Sequence, residues 1–581
     1  MTISLFPETQ TVSRARTPLP VPQHLPLAIL ALAVVVLAGL LLVTIRQPIG
    51  PMYWDHFIYL DAAERITNGQ IPSVDFFAPV GPLGYYLFWL TSFLFPHGQP
   101  LLIASWSMMI VTAPLMALVT IDVSRRSPGL ALAFVLPFLL FSALPFTTGD
   151  FYPFPGSDGF GIYNRQVCQL LYVLAAALVA VRSTPVLGVV MGVAMLALFE
   201  TKVTGAVGGA VLCLQALLAG RLPLRIALVA GALVIAALGL IEIPTGMTAA
   251  YLHDIMALVS MNEGALLPRL VQAASLNFGL VLATALAGLV LLATRIEGLT
   301  ETVAEPGLIR WLFDRPTVWL AAFILAGLLF ESQNTGSQAF IFVWPLVAVI
   351  LAAIAVERLS IPTVGAGILL LAVALPPAVT ITEKAARAWA GALLNAPLET
   401  AHLGTLDAVS VRPDFQRQAA IMRDRYIADR ATYQRIAEDN VLPSYLLYSD
   451  FDFQVLLMKE LDATAGAIVA FEKANGVRFE TIFTLDFTNP MPWILKRDAP
   501  RLVAIGADPY RAVPQPSAAV IQSVKATDLV LLPTCPITNA RLRLLDLYRD
   551  GLTDHRRITL TPCADAFIRN GMMPAATTSG G

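Results

Sequence analysis

Long apolar runs alternate with short polar segments over the N-terminal part of the chain. The first run, residues 25–45, has 21 positions without a charge, which is enough to cross about 30 Å of hydrocarbon at about 1.5 Å per residue. Further runs with little or no charge follow at residues 100–121, 129–146, 167–181, 186–199, 203–219, 226–241, 276–294, 317–330, 339–356 and 361–379. Hydropathy therefore predicts about eleven transmembrane helices, and the shortest runs must borrow flanking residues or lie inside the bundle.

A shorter apolar run at residues 83–95 decides the predicted topology. It has 13 positions and is bracketed by Pro82 and Pro96, so it is too short for a comfortable span. We interpret it as an interfacial or re-entrant helix that does not cross. The short or basic loops, such as Arg125-Arg126, then face the cytoplasm together with the N-terminus, and everything after about residue 380 lies outside.

The composition changes after residue 379, where Arg, Asp and Glu become common. A helical pattern covers residues 415–437, and strand-like runs occur at residues 467–471, 481–485, 502–505 and 528–532. Four parts are predicted: a cytoplasmic N-terminus at 1–24, a membrane domain at 25–379 with a first external loop at 46–98, an extracytoplasmic α/β domain at 380–570, and a flexible tail at 571–581.

The composition supports a polytopic membrane protein. Of the 581 residues 56% are hydrophobic and 13% are charged, with a mean hydropathy of +0.70, whereas about a quarter of a soluble globular domain is charged. The formal net charge of -2 provides no basic groove or tail. Nucleic acid is therefore not an expected partner.

The four cysteines divide into two pairs. Cys168 and Cys213 fall within predicted spans, where packing as small apolar residues explains them. Cys535 and Cys563 lie in the predicted outer domain, each beside a proline. In an oxidising periplasm they are candidates for one disulfide, but because sequence does not give the distance between their α-carbons, the free and bonded forms both stay open.

The first external loop carries the first candidate for chemistry. Asp55 follows Trp54 shortly after the first span, so at the membrane surface its carboxylate would meet both a lipid-borne and a water-borne group, as a general base must. A helix is predicted from Ile58, with its end at Gly69, and the loop that follows delivers Asp75 as a supporting acid. The alternative is an ordinary amphipathic surface helix with solvated carboxylates.

A resemblance to a known family rests on this loop and on one later turn. The loop resembles the first external loop of the GT-C superfamily of integral membrane glycosyltransferases, especially bacterial relatives of the protein O-mannosyltransferases and aminoarabinose transferases, through Asp55 in a short helix, Gly69, Asp75-Phe76-Phe77 and Gly81-Pro82-Leu83. Residues 199–205, Phe-Glu-Thr-Lys-Val-Thr-Gly, are similar to the short external lysine-containing turn of these enzymes. The family commonly has Asp-Glu at the first motif, and this chain has Asp55-His56.

The resemblance implies transfer of a sugar from a polyprenyl phosphate to an acceptor on the outer side of the membrane. Such a reaction needs a base for the acceptor hydroxyl and positive charge for the departing phosphate. Asp55 is the expected base, and Lys202 and Arg165 are the expected ligands of the donor phosphate. The alternative for each cation is a snorkelling anchor at the edge of the bilayer.

Further candidates lie in two other outer loops. Asp158 is a second supporting acid, and with Asp150 it is a candidate for holding a divalent cation, although their spacing is not diagnostic. Tyr163 is a candidate for stacking on the sugar, and so are Tyr152 and Phe154. Asn334 is a candidate substrate contact, with capping of two helices as the alternative.

We therefore expect a multi-pass protein of the bacterial inner membrane with a lipid-linked sugar donor and a glycan, lipid or protein acceptor. No cofactor is certain, and a divalent cation is one candidate. A polytopic transporter or lipid flippase is the main alternative, and a non-catalytic scaffold of the envelope is another. No internal repeat is visible, and the charges cluster at one face and not at mid-membrane, which both argue against the transporter.

Overall fold

The structure is a computed structural model that describes residues 21–149, 156–262, 264, 266–294, 296, 298–299, 307–333, 336–356, 360–442 and 451–572. Its N-terminal part is a helical bundle. The bundle helices are α1 (Leu25–Leu40), α2 (Phe57–Thr67), α3 (Leu83–Leu94), α4 (Pro100–Trp106), α5 (Met109–Ser124), α6 (Pro128–Ala143), α7 (Ile162–Ala180), α8 (Thr184–Thr201), α9 (Val203–Leu218), α10 (Leu224–Thr245), α11 (Met247–Met261), α12 (Leu266–Leu276), α13 (Phe278–Leu291), α14 (Leu308–Phe313), α15 (Pro316–Glu331), α16 (Trp344–Ile354) and α17 (Ile361–Ala392).

Within the described residues, five helices are long and apolar enough to span a membrane: Pro100–Ser124, Ile162–Ala180, Thr184–Thr201, Leu224–Thr245 and Ile361–Ala392. The pair α12 and α13 passes the same test together but is bent by 76°. Shorter apolar helices include α1, α3, α6, α9 and α15. Each predicted apolar run overlaps one of these helices or α16, so the prediction of an α-helical membrane domain is confirmed. The number of crossings stays a prediction.

Helix α7 lies at the centre of the bundle. It is buried along almost its whole length, and it contacts helices α5, α8, α9 and α16. Its first turns carry the polar residues Asn164, Arg165, Gln166 and Gln169, all of them buried. By contrast α10 has a single buried residue, Ala230, so its apolar surface is available to lipid. The polar N-terminal end of α7 is therefore buried inside the protein.

Residues 247–276 contain two helices, α11 and α12. Helix α10 continues through Pro244 to Thr245 and ends where Gly246 adopts a left-handed conformation with φ of 66°. Glycine adopts this conformation without the steric cost that a Cβ imposes. Helix α10 therefore ends at Gly246, and α11 begins directly after it.

The C-terminal part contains four paired strands, β4 (Ile482–Thr484), β5 (Leu529–Pro533), β6 (His555–Thr561) and β7 (Ala564–Arg569), in the order β4-β5-β7-β6. The first pair is parallel and the other two are antiparallel. The helices of this part are α18 (Pro413–Ala428), α19 (Arg430–Glu438), α20 (Phe451–Asn475), α21 (Met491–Leu495), α22 (Ala518–Ala526) and α23 (Asn539–Leu547). The predicted soluble α/β region is confirmed.

Two of the four predicted strands are wrong. Residues 467–471 lie within the 25-residue helix α20, because a short apolar run inside a long helix has the same local appearance as a strand. Residues 502–505 form no strand. The runs at 481–485 and 528–532 are confirmed as β4 and β5. The hairpin of β6 and β7 was not predicted, and the predicted helix over 415–437 is divided at Asp429 into α18 and α19.

Backbone pairing and a disulfide connect distant parts of the chain. Strand β1 (Gln47–Pro48) in the first loop is parallel to β3 (Val409–Val411), which pairs with β2 (Ala396–Pro397). Helix α17 continues past residue 379, the predicted domain boundary, to Ala392. Cys535 and Cys563 are joined by a disulfide that links the ends of β5 and β7. Cys168 is buried and Cys213 is partly buried, and both are free thiols.

Candidate active site

Asp55 lies in a short 3₁₀ turn, Tyr53–His56, immediately before α2. Asp55 is only 5% exposed to solvent. Its Oδ2 atom accepts a hydrogen bond of 2.8 Å from the backbone N–H of Gly161, which lies just before α7. The buried carboxylate is therefore held by the loop that precedes α7 and is not a solvated surface group.

The surroundings of Asp55 change its acidity. Burial raises the pKa of Asp55 to about 7, because the charged form loses its hydration. The N–H of Gly161 and the guanidinium of Arg165 lower the pKa, and the neighbouring Asp158 raises it. A carboxylate with this pKa accepts a proton far more readily than one near its ordinary value of 3.8. Asp55 is therefore suited to act as a general base near neutral pH.

Glycines allow the first and second loops to pack closely around Asp55. The backbone N–H of Ser157 donates to the carbonyl of Pro48 over 2.9 Å, and Ile49 pairs with Ser157. A Cβ atom added to Gly156 would lie 2.1 Å from the carbonyl oxygen of Ile49. Only glycine permits this approach, which brings residues 156–161 against the turn that carries Asp55.

The carboxylate of Asp158 holds its own loop together. Its Oδ2 accepts from the hydroxyl of Thr147 over 2.6 Å and from the N–H of Thr147 over 3.1 Å. Its Oδ1 accepts from the N–H of Phe160 over 2.8 Å. Asp158 is also close enough to raise the pKa of Asp55. Its contacts fit a supporting residue of the site better than a ligand for a metal ion.

Arg165 lies near both acids. It is 3% exposed, its Nη2 donates to the backbone carbonyl of Asp158 over 2.9 Å, and it interacts electrostatically with Asp55. A buried guanidinium beside two carboxylates is costly unless it serves a purpose in the fold or in the site. Its position lets its positive charge act on the same small volume as Asp55.

Lys202 forms the turn between α8 and α9. Its Nζ donates to Oδ1 of Asn164 over 3.0 Å and lies 4.8 Å from the ring centroid of Tyr163. Asn164 and Tyr163 belong to the same first turn of α7 as Arg165. Residues 161–165 thus contact Asp55 at one end and Lys202 at the other, which brings the predicted base and both predicted cations to one site.

The Gly81-Pro82 step of the first loop packs on the Lys202 turn. The N–H of Gly81 donates to the carbonyl of Thr201 over 3.0 Å. A Cβ atom on Gly81 would lie 2.1 Å from the carbonyl oxygen of Glu200. The two sequence motifs that carry the family resemblance are therefore in direct contact, although about 120 residues separate them in the chain.

Asp75 lies apart from this cluster. Its Oδ1 accepts from Arg501 over 2.6 Å, and its Oδ2 accepts from the N–H of Ile71 over 2.8 Å. The N–H of Leu502 donates to its carbonyl over 2.6 Å. These contacts attach the first loop to the C-terminal domain. Asp75 therefore joins two parts of the fold and does not face Asp55. Asn334 and Asp150 lie outside the described residues.

His56 occupies the position where the family commonly has an acid. It is fully buried, and burial lowers its pKa to about 3, so it is neutral at physiological pH. Its Nδ1 lies 2.5 Å from the carbonyl oxygen of Tyr53. The residue thus closes its own turn and adds no charge to the site.

The described residues do not fit a divalent cation site. No group of three or more His, Cys, Asp or Glu side chains converges within the part of the chain that the structure describes. The oxygens of Asp158 are engaged with Thr147 and Phe160, and Oδ2 of Asp55 is engaged with Gly161. No chemical step is therefore assigned to a metal.

A cavity of about 360 Å³ lies elsewhere, where the first loop, α11 and the C-terminal domain meet. Its lining includes Phe77, Asp254 and Val520 but neither Asp55 nor Lys202. Asp254 accepts from the N–H of Ala78 over 3.2 Å, and burial raises its pKa to about 6. The cavity belongs to the junction of the domains and is distinct from the Asp55 cluster.

Sequence reasoning missed several residues of the site. The backbone N–H of Gly161 donates to Asp55, and the side chain of Asn164 accepts from Lys202. From the C-terminal domain, Gln454 and Phe487 contact the turn of Asp55. The Gly161-Ile162-Tyr163-Asn164-Arg165 segment was visible as a polar start to an apolar helix, but nothing in the sequence pairs it with Asp55.

Comparison with known proteins gives the following. No family model and no curated protein sequence matches the chain. Two solved structures align over most of it, both of ArnT from Cupriavidus metallidurans. The one bound to undecaprenyl phosphate is 16% identical with a TM-score of 0.42 and covers 95% of this chain and 99% of that chain. The apo state is 14% identical with a TM-score of 0.35 and covers 93% and 97%.

Proposed function

We propose that this protein is a membrane glycosyltransferase that moves a sugar from a polyprenyl phosphate to a hydroxyl group of an envelope glycan, lipid or protein. The observation that carries the proposal is the segment 161–165, which holds the carboxylate of Asp55 at one end and the ammonium of Lys202 at the other. A base and a cation at one site are what transfer from a glycosyl phosphate needs.

Each group has one role in the proposed reaction. Asp55 accepts the proton of the acceptor hydroxyl as the hydroxyl oxygen attacks the anomeric carbon of the donor. The bond between that carbon and the phosphate oxygen breaks, and the polyprenyl phosphate leaves with the electron pair. Lys202 and Arg165 stabilise the negative charge that develops on the phosphate. One displacement of this kind inverts the configuration at the anomeric carbon.

The proposed location is the periplasmic face of the inner membrane. The basic loops favour a cytoplasmic N-terminus, and the disulfide between Cys535 and Cys563 is consistent with an oxidising compartment for the C-terminal domain. The candidate site joins the first loop, the second loop and the turn between α8 and α9, which this topology puts on the same side. A water-borne acceptor and a lipid-borne donor would meet there.

Transfer of a labelled sugar by the purified protein tests the proposal. The donors are synthetic undecaprenyl phosphates that carry labelled mannose, glucose or aminoarabinose, and the acceptor is an envelope extract. We expect one donor to label the extract with the wild-type protein and with Asp424→Asn, whose carboxylate is 79% exposed, but not with Asp55→Asn. Equal labelling by Asp55→Asn would overturn the role of Asp55, and movement of an intact donor across vesicles without transfer would favour the flippase.

A further inference from the structure

The turn that carries Asp55 is short, and it is closed by the contact between His56 and the carbonyl of Tyr53. It has four residues, Tyr53–His56, and no side-chain cap at its start. Met52, immediately before it, has φ of 46°, a left-handed conformation that is strained for a residue with a side chain. The first N–H groups of such a turn also lack partners within it. Its position must therefore come from neighbouring parts of the fold.

One partner comes from helix α20 of the C-terminal domain. The Oε1 atom of Gln454 accepts from the backbone N–H of Tyr53 over 3.1 Å, across 401 residues of sequence. Gln454 is 2% exposed and lies on a helix of 25 residues, so its side chain is held on a rigid element. This bond satisfies a helix-start N–H two residues before Asp55.

A second contact comes from the loop that follows β4. The ring of Phe487 packs edge-on against Trp54, with centroids 5.2 Å apart and planes at 85°. The loop is itself fixed, because Asp486 accepts from the buried Arg541 over 2.6 Å and the N–H of Ala507 donates to the carbonyl of Phe487 over 2.9 Å. Phe487 therefore packs against Trp54, the residue before Asp55, from a loop that is itself held in place.

We propose that the C-terminal domain is part of the active site, and that Gln454 and Phe487 are positioning residues that hold the turn of Asp55 in place. This inference rests on the proposed role of Asp55. Gly161 holds the carboxylate from the second loop, while Gln454 and Phe487 hold the backbone and the preceding indole from the opposite domain. The catalytic carboxylate is thus oriented between two parts of the chain that are remote in sequence.

The proposal predicts a change in the titration of Asp55, which a simple loss of folded protein would not produce. The titratable groups that interact electrostatically with Asp55 are Tyr59, Tyr85, Asp158, Tyr163 and Arg165. Gln454 and Phe487 carry no charge. Replacing either one by an uncharged residue changes no charge near Asp55, so any change in its titration reports a change in hydration or position.

The test uses dicyclohexylcarbodiimide, which modifies protonated carboxyl groups in apolar surroundings, and quantifies modification of Asp55 by peptide mass spectrometry from pH 5 to 9. Gln454→Met removes the acceptor at similar volume, and Phe487→Leu removes the aromatic edge. Water that reaches a loosened turn lessens the cost of charging Asp55, so we expect the labelling midpoint to fall by about one pH unit in both variants. Gln522→Met, an exposed position in α22, is the matched control and should keep the wild-type midpoint.

Transfer of the labelled sugar is measured on the same preparations. We expect Gln454→Met and Phe487→Leu to lower kcat by about tenfold, with little change in KM for the donor, because a misplaced base slows the chemical step. Wild-type midpoints and wild-type kcat in both variants would overturn the inference even if Asp55→Asn is inactive. If Asp55→Asn is active, the proposed function fails, while the labelling midpoints still report whether the domain holds the turn.

Discussion

The backbone N–H of Gly161 donates a 2.8 Å hydrogen bond to Oδ2 of Asp55. This bond ties the first loop to the start of α7, and it holds one oxygen of the buried carboxylate. Because Tyr163, Asn164 and Arg165 follow Gly161 within one helical turn, the same bond sets the distance between the proposed base and the proposed cations.

Asp55→Asn should abolish sugar transfer without destabilising the protein. Asparagine has nearly the shape of aspartate and still accepts from Gly161, but it is not a base. It also removes the cost of a buried charge, so thermal stability in detergent at pH 8 should equal or exceed that of the wild type. Transfer by Asp55→Asn at the wild-type rate would show that the base lies elsewhere, and a large fall in thermal stability would show that the loss is structural.

Transfer should decline as pH falls through about 7. Burial raises the pKa of Asp55 to about 7, and the base acts only when it is deprotonated, so kcat should lose about tenfold for each pH unit well below this value. The contribution of Asp55 to folding stability changes with pH in the opposite direction. Because the folded protein binds the proton more tightly than the unfolded chain does, Asp55 favours the folded state less as pH rises toward 7. A kcat profile that is flat from pH 5 to 8 would contradict the assignment.

Lys202→Met should weaken use of the donor more than Lys202→Arg. Methionine keeps the apolar stem but removes the charge that faces the departing phosphate, so we expect kcat/KM for the donor to fall by about a hundredfold or more. Arginine keeps the charge and should retain part of the activity. Lys525→Met, at a partly exposed ion pair with Asp554, is the control and should behave like the wild type. Unchanged kcat/KM in Lys202→Met would leave Lys202 as a membrane anchor.

Gly81→Ala should damage the site although no reactive group changes. A Cβ at position 81 would lie 2.1 Å from the carbonyl oxygen of Glu200, so the first loop must move away from the Lys202 turn. We expect a loss of stability of about 1–3 kcal/mol and a lower rate of transfer. Gly39→Ala, where nothing lies within 4 Å of the added Cβ, should match the wild type in both measurements. Equal behaviour of the two variants would show that the contact is dispensable.

Asp158→Ala should loosen the second loop. It removes three hydrogen bonds with Thr147 and Phe160, and the buried Thr147 loses the acceptor of its N–H, at a cost of about 1–3 kcal/mol. We expect a lower thermal midpoint and a weaker, but not absent, transfer activity. Limited proteolysis within the second loop provides an independent measurement. Full inactivation with normal stability would assign Asp158 a direct part in the reaction.

Parts of the structure followed from local patterns in the sequence. The apolar runs located the bundle helices because a helix in lipid needs an apolar surface over its whole length. Gly69 was predicted to end the helix after Asp55, and α2 ends at Thr67. The ion pair that Asp61 and Arg65 form at i, i+4, with 2.9 Å between Oδ1 and Nε, follows from helical geometry. The strand predicted at 467–471 was wrong because these residues lie inside the 25-residue helix α20. A short apolar run looks the same locally in a long helix and in a strand.

The sequence by itself determined that this is a polytopic membrane protein with a soluble C-terminal α/β domain and a polar first loop that contains Asp55. Only the tertiary structure decided which residues meet there: Gly161 and Arg165 contact or face Asp55, Asp75 binds Arg501, and Gln454 reaches Tyr53. Helix and span patterns repeat every few residues and can be detected locally. Contacts across hundreds of residues depend on how the bundle and the outer domain pack, and no local pattern encodes that packing.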